Sequence, residues 1–204
     1  MANINATFGL RPYRMLGSGA NTNGSATYNI QTAATAGTAS VIYNGAPVIP
    51  LTNGMIDVPG NANGGTVPLL GVFLGCNYID LNGKPRWSPY WPGTAAVYAS
   101  SIATATVVSH PDQLFLINTD AAAADSIVHA NANFVTAITG STVSGSYAKL
   151  GVSTATTTNT LNLRIIGFED TPANADPAVA GRLAIVLLNN HFYRYNANGT
   201  GAGI

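Results

Sequence analysis

The chain has 204 residues, of which 8% are charged, and its eight basic residues balance its eight acidic ones. An ordinary soluble domain carries about 25% charged residues, and a phosphate-binding surface needs a cluster of Lys and Arg. The composition therefore excludes a nucleic-acid-binding protein of the usual basic kind. The hydrophobic content of 47% is normal, so the chain can build a core and lacks the composition of a disordered protein.

No apolar stretch of the sequence approaches the roughly 20 residues of a membrane-spanning helix, so we predict no membrane partner. Residues 1–16 lack a basic start followed by an apolar segment, and we expect no secretory signal.

Cys76 is the only cysteine and lies in the apolar run 69–76. We predict a buried thiol there, with an intersubunit disulfide as the alternative. Because charges are so scarce, we also expect partners or further copies to cover part of the surface.

Residues 1–25 are predicted to form an extended N-terminal arm. Within it, Pro12 favours an extended backbone for the segment 8–14. The apolar side chains of this segment need a surface to dock on, either of their own domain or of a neighbouring subunit. Arg11 and Arg14 point to opposite faces of an extended segment, so one of them could pair with a carboxylate of a partner. The candidate interface residues of the arm are Phe8, Leu10, Arg11, Tyr13 and Arg14.

Residues 26–197 contain short apolar runs separated by turn residues, which predicts one β domain. The predicted strands are 41–43, 47–51, a bent or bulged strand within 67–78, 86–90, one within 97–108, 114–117, 161–168, 183–188 and 191–195. Asn44-Gly45 is a strong hairpin signal, and at most one brief helix is predicted near 121–124. These features favour an all-β barrel or sandwich of short antiparallel strands. Residues 198–204 are predicted to be a frayed C-terminal tail.

Residues 85–92 interleave prolines with three aromatic residues, Trp87, Tyr90 and Trp91. Proline keeps such a segment rigid, so it loses little entropy when it docks. Because Trp and Tyr are enriched among interface anchors, we predict that the three rings lie in a subunit interface or in the core. A carbohydrate-binding platform is the alternative.

Groups that could carry chemistry are sparse. The histidines do not form a metal-ligand spacing with one another or with Cys76. The segment 80–83 resembles the start of a calcium loop but lacks the terminal Glu, so we predict a plain turn. Glu169, Asp170 and Asp176 are predicted to lie in a solvated loop, with a calcium contact as the alternative. The sequence therefore predicts no catalytic residue, no metal ligand and no cofactor.

Four segments, in this order along the chain, resemble a known family. They are FGLRPYR (8–14), LGVFLGCNY (70–78), SPYWP (88–92) and PDQLF (111–115). Together they are similar to the cement proteins of tailed bacteriophages, also called decoration or head-stabilising proteins. The resemblance covers most of the chain and is weakest over 120–160.

The resemblance implies a structural protein of the virion without catalytic residues. It would bind the major capsid protein on the outer capsid surface after synthesis in the host cytoplasm, and it would bridge capsid subunits. Self-association as a homotrimer is expected, with a dimer as the alternative. Two other functions stay open. One is a glycan- or receptor-binding module, and the other is a polysaccharide hydrolase, which would need a carboxylate pair drawn from Asp112, Asp170 and Asp176.

Overall fold

The computed structural model describes residues 3–17, 24–30, 41–60, 67–98 and 101–194. The strands are β1 (Arg11–Met15), β2 (Ser25–Ile30), β3 (Pro47–Pro50), β4 (Ile56–Asp57), β5 (Gly71–Ile79), β6 (Pro85–Ser88), β7 (Ala103–Val108), β8 (Gln113–Asn118), β9 (Asn131–Ala132), β10 (Phe134–Val135), β11 (Gly140–Ser141), β12 (Gly145–Ser146), β13 (Lys149–Leu150), β14 (Leu163–Phe168) and β15 (Leu183–Leu188).

The described part of the chain contains three single-turn 3-10 helices, at Thr94–Ala96, Asp125–Ile127 and Val152–Thr154. Across these same ranges, no helix has the length and apolar character needed to cross a membrane. The predicted all-β class is confirmed.

Strands β3, β4, β2, β7 and β5 follow one another in a sheet that closes on itself, since β5 also pairs with β3. One edge of the long strand β5 is shared by two partners. Its start pairs with β3 (Val48↔Gly71), and its end pairs with β6 (Cys76↔Ser88). Closure removes most exposed strand edges. The inside of this small barrel is filled mainly by Ile30, Ile42, Val48, Ile56, Phe73, Cys76, Trp91 and Val107.

Strand β5 bends as the sequence predicts. Its register against β7 shifts between Phe73 and Gly75, which is the signature of a β-bulge. At the start of the strand, a Cβ atom on Gly71 would lie 2.2 Å from the carbonyl oxygen of Val108. Glycine is therefore needed where β5 crosses close to β7.

A second sheet, in the order β1-β8-β15-β14-β9, packs against the barrel. Its inner face contributes Phe115, Ile165 and Val186 to a core that also contains Val72 and Val108 of the barrel strands. Side chains alternate between the two faces of a strand. Accordingly, the outer face carries a smaller cluster around Leu114, Ile185 and Leu187.

The separate N-terminal arm predicted for residues 1–25 is not confirmed. The Asn3 side chain donates hydrogen bonds to the carbonyl oxygens of Asp176 and Val179, each 2.8 Å long. Further along, β1 pairs with β8. Residues 3–17 are thus extended as expected, but they belong to the domain. Residues 18–23 and the predicted tail 198–204 lie outside the described residues.

Three local predictions need correction. Asn44-Gly45 forms a turn, but its flanks do not pair with each other, because Ile42 bridges to Trp91 and β3 pairs with β4 and β5. The brief helix near 121–124 is instead the 3-10 helix Asp125–Ile127. Of the predicted last strand, His191 makes a single bridge to Leu69.

The carboxyl group of Asp57 gives the barrel a pH-dependent stability. Asp57 is 6% exposed, and its Oδ1 accepts a hydrogen bond of 2.7 Å from the Val58 amide. Burial raises its pKa from 3.8 to about 6. The folded state therefore holds this proton more tightly than the unfolded state, and stability rises as the pH falls from above 6 towards 4.

We expect Asp57→Asn to raise the free energy of unfolding at pH 8 by up to roughly 3 kcal/mol, and by much less at pH 4. Urea denaturation of both proteins at the two pH values measures this difference. Asp80→Asn is the control, and it should lower the free energy of unfolding at pH 8 instead of raising it. The reason is that hydrogen bonds from the Lys84 amide and the Arg86 side chain lower the pKa of Asp80. Equal stabilities of Asp57→Asn and the parent protein at pH 8 would contradict the expectation.

Candidate functional site

A groove of about 260 Å³ opens between the N-terminal segment, the turn at Asn44, the turn that precedes Trp91 and the β11–β12 hairpin. Its lining consists of Phe8, Leu10, Arg11, Pro12, Asn44, Pro89, Tyr90 and residues 141–145. The groove therefore brings together candidate interface residues from two segments that are about 80 positions apart in the sequence.

Two glycines allow the N-terminal segment to approach the turn at Asn44. Gly9 and Gly45 have φ angles of +68° and +79°, which residues with a Cβ atom rarely adopt. A Cβ atom on Gly9 would lie 2.5 Å from the Gly45 carbonyl oxygen. That oxygen accepts a 2.9 Å hydrogen bond from the Leu10 amide. This hydrogen bond holds Leu10 against the turn. Phe8 is close to the turn as well, since its carbonyl oxygen lies 2.5 Å from the place that a Cβ atom on Gly45 would take.

Asn44 connects the β11–β12 hairpin, which is one wall of the groove, to the barrel strand β5. Its carbonyl oxygen accepts a 2.7 Å hydrogen bond from the Ser146 amide of the β11–β12 hairpin. Its side-chain amide donates to the carbonyl oxygen of Leu74 in β5, at 2.5 Å. Gly145, with φ +85°, lets the hairpin come close, because a Cβ atom there would lie 2.7 Å from the Asn44 carbonyl oxygen. These contacts hold the β11–β12 hairpin close to the turn at Asn44.

Phe8 and Arg11 form a stacked pair at the groove. The Arg11 guanidinium carbon lies 4.5 Å from the centre of the Phe8 ring, a cation–π arrangement. Phe8 is half-buried and Arg11 is exposed. The pair therefore presents a positive charge and an aromatic surface together.

Tyr90 and Trp91 point in opposite directions from one strand-like segment. Trp91 exchanges two backbone hydrogen bonds with Ile42, of 2.8 and 3.1 Å, and its side chain enters the barrel core with 1% exposed. Tyr90 is half-buried and lines the groove. The alternation of side chains in extended backbone explains why only one of the two rings is accessible.

Leu10 and Trp91 correct the predicted interface set. Both are 1% exposed and belong to the two main cores. Their side chains are therefore packed inside the protein, and Leu10 borders the groove without presenting its side chain to solvent. For Trp91, the structure thus shows the second of the two predicted positions, a place in the core.

Three other predicted interface residues lie outside the groove lining. Tyr13 donates a 2.9 Å hydrogen bond to Glu169, which is the main reason why its pKa is raised. The Arg14 guanidinium stacks on the Tyr13 ring at 5.3 Å. Trp87 lies on β6 with 66% of its surface exposed. The structure thus separates these residues from Phe8, Arg11 and Tyr90.

Val143 is the most exposed hydrophobic residue of the groove, and sequence reasoning missed it. It occupies the tip of the β11–β12 hairpin, and 95% of its surface is exposed. A lone Val in a stretch of Thr, Ser and Gly gives no periodic signal. Its position beside Phe8 and Tyr90 becomes visible only in the folded chain.

The acidic residues proposed as catalytic or calcium-binding groups are each occupied by separate partners. Asp112 pairs with Arg194, Asp170 pairs with Arg182 at 2.9 Å, and Asp176 accepts a hydrogen bond from the Ala178 amide. Within the described ranges, no group of three or more His, Cys, Asp or Glu side chains could hold a metal ion. These contacts occupy one carboxylate oxygen of each of the three aspartates.

The Cys76 thiol lies inside the barrel, as the apolar run predicts. It is fully buried, and burial raises its pKa to about 12. Its sulfur lies 3.4 Å from the Tyr90 carbonyl oxygen, to which the thiol donates a weak hydrogen bond. A buried thiol with a raised pKa is a poor nucleophile, which argues against an intersubunit disulfide.

Comparisons with known proteins do not add a relative, since no family model, no curated protein and no solved structure matches this chain.

Proposed function

We propose that this chain is a structural cement protein that binds the outer surface of a phage capsid and bridges major capsid subunits. The observation that carries the proposal is the groove. Candidate contact residues from two distant segments, Phe8 with Arg11 and Tyr90, meet there beside the almost fully exposed Val143. The sequence resemblance to phage cement proteins supplies the identity of the partner.

The groove has the features of a small contact site. Burying one Val side chain gives about 1.5 kcal/mol or more, and aromatic residues are the usual anchors of an interface. An ion pair of Arg11 with a capsid carboxylate would add only about 0–1 kcal/mol. The apolar contacts therefore carry most of the affinity, and repetition over the shell multiplies a modest contact by avidity.

The proposal includes self-association, as a homotrimer or alternatively as a dimer. It is supported by the neutral net charge and the 8% content of charged residues, which leave little electrostatic repulsion between copies. Sedimentation velocity over a concentration series measures the oligomeric state directly.

The proposal is tested by co-sedimentation of the full chain with empty, expanded heads built from the major capsid protein of a tailed phage that encodes this chain. We expect saturable binding at a fixed ratio per capsid subunit, together with a higher thermal resistance of the heads. The double variant Tyr90→Ala/Val143→Ser should weaken binding by about tenfold or more, because it removes an aromatic and an apolar side chain that line the groove.

Ile102→Ser is the matched control, because Ile102 is an apolar residue with 74% of its surface exposed that does not line the groove. Its binding should equal that of the parent chain. Absence of binding to expanded heads would overturn the cement function. Undiminished binding of the double variant would show that the groove is not the contact site.

A further inference from the structure

The outer face of the barrel carries two rows of uncharged residues. The cross-strand pairs Asn29↔Thr104 and Asn77↔Thr104 join β2, β7 and β5, and Asn77↔Trp87 extends this row to β6. The second row runs Thr27, Thr106 and Gly75. Because side chains alternate along a strand, both rows face away from the core, into which Ala103, Ala105 and Cys76 point.

These two rows, which we call the Trp87 face, contain no charged residue. Asn29, Thr27 and Asn77 are exposed, and the two threonines of β7 are half-buried. The row from Asn29 to Trp87 crosses three strand spacings, or about 14 Å. Amide and hydroxyl groups are thus presented at fixed intervals on a rigid sheet beside one large aromatic ring.

Trp87 rests on the strand next to it. Its Cζ2 atom lies 3.3 Å from the place that a Cβ atom on Gly75 would take, and 66% of the residue is still exposed. The absence of a side chain at Gly75 gives the ring room to lie over the backbone. Contact with the sheet on one side restricts the ring, which reduces the side-chain entropy lost when a ligand covers it.

We propose that the Trp87 face binds a neutral oligosaccharide. The apolar side of a sugar ring stacks on the open indole surface, as flat rings do on aromatic side chains. The sugar hydroxyls then exchange hydrogen bonds with the Asn77 amide and the Thr104 hydroxyl, which both donate and accept.

Other ligand classes fit this face less well. A nucleic acid or an acidic glycan would require Lys or Arg for its negative charges, and the two rows have none. A protein partner would favour a more apolar centre than rows of Asn and Thr around a single Trp. Uncharged, hydroxyl-rich ligands match both the polarity and the flat shape of the face.

This inference does not rest on the proposed capsid function, because the Trp87 face and the groove share no residue. The two sites can therefore fail or succeed separately. A virion protein with both would hold the shell by the groove and contact cell-surface or environmental polysaccharide by the barrel.

The test uses the full chain and a panel of neutral oligosaccharides of at least five sugars, namely the cello-, chito-, manno-, xylo- and malto-series. Titration calorimetry measures affinity, and acrylamide quenching of fluorescence reports Trp87 because Trp91 is buried. We expect at least one series to bind and to reduce the quenching. Trp87→Ala should weaken that binding roughly tenfold or more, Asn77→Ala should weaken it a few-fold, and Trp87→Tyr should retain most of it.

Tyr147→Ala is the control, because Tyr147 is a 37% exposed aromatic residue that follows the β11–β12 hairpin and lies outside the Trp87 face. The affinity of this variant for the oligosaccharide should equal that of the parent chain. Thermal unfolding of each variant verifies that the fold is kept. Lack of binding by the whole panel would overturn the inference. So would a loss of head binding in Trp87→Ala, which would assign the face to the capsid, or protection of Trp87 by increasing protein concentration, which would assign it to a second copy.

Discussion

Replacing Trp91 by alanine is expected to lower the free energy of unfolding by about 3–5 kcal/mol. The ring is 1% exposed in the barrel core and meets the Tyr78 ring edge to face at 5.8 Å. Alanine would leave a cavity that the closed barrel cannot fill by collapse, because its wall strands are hydrogen-bonded on both sides. Since whole domains are stable by only about 5–15 kcal/mol, Trp91→Ala should be close to unfolding at 37 °C.

The matched control is the same substitution four residues earlier. Trp87 is 66% exposed, so Trp87→Ala should cost about 1 kcal/mol or less. Urea denaturation followed by circular dichroism measures both variants without relying on tryptophan fluorescence. Equal losses of stability at the two positions would show that Trp91 is not a core residue.

Deleting residues 2–16 is expected to yield an unfolded or aggregating protein. The deletion removes β1 and Leu10, and it exposes β8 as a new sheet edge that is prone to pair with other chains. It also removes the Arg14 carbonyl oxygen, which accepts a 3.2 Å hydrogen bond from the buried Gln113 side chain. Circular dichroism and size-exclusion chromatography of the truncated chain measure the outcome.

Two point variants test whether the deletion destabilises the protein by removing the buried Leu10 side chain or merely by shortening the chain. Leu10 is 1% exposed and Leu16 is 48% exposed, so Leu10→Ala should cost about 2–5 kcal/mol and Leu16→Ala about 0.5 kcal/mol or less. A soluble, cooperatively folding truncated protein with the parent melting temperature would contradict this account. It would restore the idea of a separate arm.

Much of the local structure can be predicted from the sequence, because short-range patterns specify it. The alternation of apolar residues with Gly, Asn and Pro turns predicts the all-β class. The glycines within the apolar run of β5 predict its bulge, and Asp80-Leu81-Asn82-Gly83 predicts the turn to β6. These features depend on the φ and ψ preferences of a few adjacent residues.

The candidate site could be predicted only in part. The sequence names Phe8, Arg11 and Tyr90 among its candidate interface residues, and all three line the groove. It cannot predict Val143, because the β11–β12 hairpin reaches the groove through a hydrogen bond between Ser146 and Asn44. Contacts between such distant residues follow from the closed topology and leave no trace in local composition.

By itself, the sequence determined that this is a sparsely charged, β-rich chain of zero net charge, with a buried thiol and proline-stiffened aromatic segments. The tertiary structure decided which sides of those segments are accessible. Closure of β5 onto β3 places Trp91 inside the barrel, and the pairing of β6 leaves Trp87 outside. Pairing of β1 with β8 turned a predicted arm into an edge strand. The physical reason is strand register, since a shift of one residue exchanges the two faces of a strand, and only long-range pairing fixes it.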